Sequence, residues 1–70
     1  MFYRQIGTKI RYHREKQFMT QDDLGKKTGF SQSYIAKIET GKATPSLKRL
    51  EIFAKALGVD IKDFWEGGGE

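Results

Sequence analysis

Three glycines limit what this chain can fold into. Gly29, Gly41 and Gly58 each follow a run with helical spacing, and each stands where glycine can close a helix in the left-handed conformation. Thr20, Ser31 and Thr44 stand where they can cap the starts of those runs, and Asp60 opens one more. No strand-like alternation interrupts them. The chain reads as short helices joined by tight turns.

Residues 2–16 carry Ile6 and Ile10 four apart, with Lys9, Arg11 and Lys16 mostly on other faces. Gln17 and Phe18 end that segment, and Met19 turns inward. Thr20 begins the second helix as T-x-x-D, a hydroxyl cap with Asp23 in the first turn. Leu24 and Thr28 face inward. Gly25 costs up to about 1 kcal/mol relative to alanine inside a helix, so its presence predicts another helix passing very close. The third helix runs from the Ser31 cap to about residue 40. Thr44-Pro45 is expected to start the fourth, with the hydroxyl as cap and proline in the first position. Leu47, Leu50, Phe53, Ala54 and Leu57 form its apolar stripe. A last short helix holds Ile61, Phe64 and Trp65. Gly67, Gly68 and Gly69 predict a flexible tail over residues 66–70. The expectation is an all-α, compact, five-helix domain over residues 1–65.

With 70 residues this is one domain with a small core. It has no cysteine, hence no disulfide or cysteine-held metal. A single histidine, His13, and no cluster of acids give no support to a metal site or a catalytic group, so neither an enzyme nor a cofactor is expected. No apolar run approaches a membrane span or signal core, so a soluble, cytoplasmic protein is expected. No small-molecule ligand is evident. The net charge of +4 favours an acidic partner, nucleic acid above all, although many small domains are mildly basic.

Stepping about 100° per residue separates the faces of the third helix. Ile35 and Ile38 fall on one side, and Gln32, Ser33, Ala36, Lys37 and Thr40 on the other. An ordinary solvated face would carry Glu and Lys. This one is small, polar or cationic, which suits close approach to base edges in a major groove. Gln32 can pair bidentately with adenine, Ser33 can serve base or phosphate, and Lys37 can reach guanine or phosphate. Tyr34, at the edge of the face, is expected to touch phosphate or sugar. The helix starts at Thr20 and Thr44 offer amides to flanking phosphates.

The strings IGTKIRYHRE, MTQDDLGKKTGFSQSYIAKIETGK and TPSLKRLEIFAKALGV together resemble the helix-turn-helix domain of phage repressor and Cro proteins and their XRE-like bacterial relatives. The motif would span residues 20–41 and its recognition helix about 31–40. Gln21, Gly25, Gly29, Ile35 and Ile38 match the family's first-helix glutamine, small packing residue, turn glycine and apolar anchors. The resemblance implies that Gln21 binds a phosphate and braces Gln32, while Gln32, Ser33 and Lys37 read bases. It places Thr20, Thr40 and Lys42 on the DNA backbone and joins Arg14 to Glu39 in a structural salt bridge. If that bridge is buried, losing one partner would cost about 3–5 kcal/mol. Three residues depart from the pattern. Gly25 replaces a usual alanine, and His13 a usual apolar residue, read as a core-edge histidine. Phe18 replaces a usual glycine, so the turn there is either strained or differently built.

One such helix reads few base pairs, so a homodimer on a palindromic double-stranded operator is expected. Ile52, about 150° from the centre of the fourth helix's stripe, is expected to be exposed. Together with Ala56, Phe64 and Trp65 it marks a candidate dimer surface. The leading function is a sequence-specific transcriptional regulator, a repressor, of bacterial or phage type and associated with the nucleoid. The alternatives are an antitoxin or bridging-type protein-interaction module and the DNA-binding head of a longer ligand-sensing regulator.

Overall fold

Helical periodicity and caps yield α1 (Phe2–Lys16), α2 (Gln21–Thr28), α3 (Gln32–Glu39), α4 (Leu47–Leu57) and a 3-10 helix, Ile61–Phe64. The computed structural model describes residues 2–65; the tail expected at 66–70 lies outside them. The fold is therefore four α-helices and one 3-10 turn, where five helices were expected. Asp60 and Asp63 do form a capping box at the start of that last element. Its amides nevertheless bond three residues back, Asp63 to Asp60 at 2.9 Å and Trp65 to Lys62 at 3.1 Å, the tighter pattern that suits a four-residue piece.

The starts of α2 and α3 follow the caps read from sequence. Thr20 Oγ1 accepts from the Asp23 amide at 3.0 Å and Asp23 Oδ2 accepts from the Thr20 amide at 2.9 Å. Ser31 Oγ accepts from the Tyr34 amide at 3.1 Å. The start of α4 differs. Ser46, not Thr44, is its cap, with Oγ accepting from the Arg49 amide at 3.2 Å. Pro45 is buried just outside the helix rather than forming its first turn. Leu47 consequently becomes the first helical residue and swings clear of the core, 65% exposed.

Gly29, Gly41 and Gly58 end their helices at φ of 85°, 79° and 70°. Phe18 does the same for α1 at φ 60°. Its amide donates to Glu15 O at 2.9 Å and that of Met19 to Arg14 O at 3.1 Å. Gly41 and Lys42 make the equivalent pair to Ile38 and Lys37, at 3.1 and 2.8 Å. The turn after α1 is therefore built as a glycine turn would be, with a phenylalanine strained into it.

The core comprises Ile6, Ile10, Leu24, Ile35, Ile38, Leu50, Phe53, Ala54, Leu57 and Phe64. Phe64 is fully buried, so it cannot belong to a dimer surface as expected. The 3-10 turn points its ring under α1, where His13 packs edge-on at 6.2 Å between centroids. His13 is half-buried, and that burial lowers its pKa against the opposing pull of Asp63. Gly7, which sequence reading did not single out, sits where α1 meets the end of α3. A Cβ there would overlap the Ile38 carbonyl oxygen and lie 3.1 Å from Glu39 Cα.

Candidate nucleic-acid interface

The α2–α3 corner is fixed from inside. Gly29 takes the left-handed turn, and its amide closes on Gly25 O at 2.7 Å. Thr28 Oγ1 donates to Leu24 O at 2.9 Å and accepts from the Phe30 amide at 3.2 Å, tying helix end to turn. A Cβ on Gly25 would stand 2.7 Å from Phe30 O and 3.7 Å from Ile35 Cδ1. Backbone of the turn itself, rather than a passing helix, thus requires the glycine. Leu24, Ile35 and Ile38 are fully buried beneath the corner. The angle between the two helices is set by packing and leaves the outer face of α3 free for other work.

On that face Gln32, Ser33, Lys37 and Thr40 are exposed and Ala36 is half-buried. Thr40 Oγ1 is turned back to donate to Ala36 O at 2.9 Å. Thr20 and Gln21 lie at the start of α2; Lys42 and Thr44 lie in the connection to α4, both exposed. Among the described residues the ion pairs engage Arg11, Arg14 and Lys26, whereas Lys37, Lys42 and Arg49 have no carboxylate within pairing distance. Positive charge is therefore available along α3 and its flank.

Behind the face runs a polar chain. Arg14 Nε donates to Glu39 Oε2 at 2.7 Å and Arg14 NH2 to Glu39 Oε1 at 3.0 Å. The same guanidinium donates through NH1 to Met19 O at 2.7 Å. These side chains are 9% and 2% exposed, so the pair is buried. Hydrogen bonding to Glu39 is the main reason that the Arg14 pKa is raised further. Gln21 Nε2 donates to Glu39 Oε1 at 3.1 Å, and Gln32 Nε2 donates to Gln21 Oε1 at 3.4 Å. The structure thus brings Arg14, Glu39, Gln21 and Gln32 into one line from core to surface.

Tyr34 is placed differently from expectation. Its ring packs against Phe30 at 5.2 Å, and its hydroxyl is buried with no partner among the described residues. Arg49 covers both rings, 5.2 Å from Tyr34 and 5.8 Å from Phe30. The solvent-facing group of this cluster is Arg49, not the tyrosine hydroxyl. Sequence reading missed Arg49, because only the Ser46 cap places it in the first turn of α4 beside those rings. Ile52 is half-buried rather than exposed, and Ala56 and Trp65 are half-buried as well. Ile52 and Ala56 share a shallow depression with Lys27 and Lys55.

The helix-turn-helix family HTH_3 matches residues 10–64. This chain belongs to that family. HTH_3 proteins are DNA-binding domains of the XRE and Cro/CI type, with phage repressors among them. An uncharacterized HTH-type transcriptional regulator of Methanocaldococcus jannaschii is 46% identical over 60 residues, covering 86% of this chain and 91% of that protein. The immunity repressor of Bacillus phage phi105 is 39% identical over 56 residues, or 80% of this chain, which spans 39% of that repressor. Among solved structures, the P22 c2 repressor in complex with a synthetic operator superposes with a TM-score of 0.81 at 31% identity, covering 89% of this chain and 94% of that one. These three relatives are a transcriptional regulator and two repressors. Among the described residues no helix is long and apolar enough to cross a membrane.

Proposed function

We propose that this HTH_3 domain is a sequence-specific repressor that binds a two-fold operator as a homodimer and reads the major groove with α3. The observation carrying this reading is the division of α3. Ile35, Ile38 and Glu39 are buried, while Gln32, Ser33 and Lys37 stand together on an exposed, acid-free side. Slender amide, hydroxyl and ammonium groups can reach base edges there. Thr20, Gln21, Thr40, Lys42 and Thr44 flank them as backbone contacts, joined by Arg49, whose guanidinium Tyr34 and Phe30 hold in place. The P22 c2 repressor of the same fold, in complex with a synthetic operator, supports the DNA-binding part of this reading. Ile52, Ala56 and Trp65 remain the candidate dimer surface without Phe64.

Selection from random duplex pools tests this reading. Enrichment of two inverted half-sites about one helical turn, 34–36 Å, apart is expected. Affinity for the selected duplex should fall steeply with salt, since several phosphates are neutralised. No enrichment, or a flat salt profile, would contradict it.

A further inference from the structure

We propose that the buried Arg14–Glu39 pair, which reaches no base, fixes which base Gln32 accepts by setting the hydrogen-bond polarity of the chain Glu39–Gln21–Gln32. This rests on the reading above, in which Gln32 faces the groove. A carboxylate paired with a guanidinium has only acceptors to offer. Glu39 is such a group, holding Arg14 at 2.7 and 3.0 Å. An amide side chain, by contrast, has a donor end and an acceptor end that can exchange by a half-turn. Beside Glu39 the exchange is forbidden to Gln21. Its amide nitrogen must face Glu39 Oε1, at 3.1 Å, because the reversed amide would set two oxygens against each other.

The constraint then passes outward. With its nitrogen committed inward, Gln21 presents Oε1 to Gln32, which can answer only with its own nitrogen, at 3.4 Å. Gln32 is left with Oε1 and one N–H for the groove, an acceptor beside a donor. Adenine offers the complement, a donor at N6 and an acceptor at N7. Guanine offers two acceptors, O6 and N7, and its O6 would meet the Gln32 oxygen. A Gln32 turned the other way would present two N–H groups and suit guanine instead. The preference for adenine over guanine is thus decided one and two residues behind the contact, with Glu39 and Gln21 as positioning residues. The long outer link means that Gln32 is biased before binding and locked only when the base completes the pair.

The test is the ratio of affinities for operator duplexes that differ only by A or G at the base pair Gln32 contacts, measured at one salt concentration. The wild type should favour adenine by about ten-fold. Gln21→Lys inverts the chain, since an ammonium donates both to Glu39 and to Gln32 Oε1, and the ratio should turn toward guanine. The double variant Arg14→Met/Glu39→Leu removes the pair without stranding a charge, so the ratio should fall toward one while preferences at other base pairs persist. An unchanged ratio in Gln21→Lys, or an equal loss on both duplexes, would overturn the inference, and it does so even if the double variant does not fold. A wild type that binds no duplex would instead overturn the DNA-binding reading, and this inference with it.

Discussion

Phe18 and Gly7 carry opposite lessons about single residues. Phe18 holds a left-handed backbone while 94% exposed, so it bears strain and gains little burial in exchange. That conformation costs a residue with a Cβ about 1–2 kcal/mol, partly offset in glycine by the greater freedom of its unfolded chain. Phe18→Gly should therefore stabilise the domain by about 0.5–1 kcal/mol, a rise of a few degrees in the melting temperature. A lower melting temperature would show that the exposed ring contributes to folding. Gly7→Ala should do the reverse. Its methyl group would overlap the Ile38 carbonyl, backbone that cannot rotate away. Overpacking of this kind costs about 1–3 kcal/mol, more than the roughly 1 kcal/mol alanine contributes to helix propensity. A denaturant melt of Gly7→Ala at or above wild-type stability would refute the close crossing of α1 and α3. Phe18 was legible because its place called for glycine. Gly7 was not, since a glycine in a helix bears no mark of what lies opposite it until the crossing is known.

At the level of the elements, sequence reading succeeded where the signal is local. The T-x-x-D box at Thr20, the Ser31 cap and the glycine stops all act within one turn, and all stand where they were read. It failed where two local solutions compete. Thr44 and Ser46 are both competent caps, and Pro45 can follow the first or precede the second. Burial of Pro45, a tertiary effect, selects Ser46. The same holds at the last element, where four residues satisfy a 3-10 turn and Phe64 is drawn inward. His13 makes that docking sensitive to acid. Burial favours its neutral form, aided by Lys16 and Lys9 and opposed by Asp63. With the folded pKa lowered, the His13 contribution is intact above the unfolded value of about 6.5 and is lost as pH falls below it, because the unfolded chain takes up the proton first. Melting temperature should drop between pH 7.5 and 5.5, and His13→Gln should flatten that drop. An equal drop in the variant would assign it to other groups. Asp23 acts lower on the scale: Thr20 depresses its pKa, so its contribution is lost only as pH falls through the carboxylate range.

For the whole molecule, the two faces of α3 were more legible than what supports them. A step of 100° per residue is enough to sort Gln32, Ser33 and Lys37 from Ile35 and Ile38. The resemblance to repressors suggested both the Arg14–Glu39 bridge and the Gln21–Gln32 contact, but no spacing in the sequence shows that Glu39 also receives Gln21. Arg49 and the buried Tyr34 hydroxyl were equally out of reach, since both depend on α4 lying across the Phe30 ring. These supports give the outer face of α3 a defined polarity and back it with a fully buried core of Leu24, Ile35 and Ile38. The proposed division between base-reading and positioning groups rests on that, and so does the measurement that tests it most directly. Binding of Gln32→Ala should be compared with wild type across a panel of operator duplexes mutated one base pair at a time. The expected result is loss of discrimination at one base pair in each half-site, worth about 1–3 kcal/mol, with affinity for unrelated duplex nearly retained. An equal loss on every duplex, with discrimination intact at all positions, would contradict the assignment of α3 to base reading.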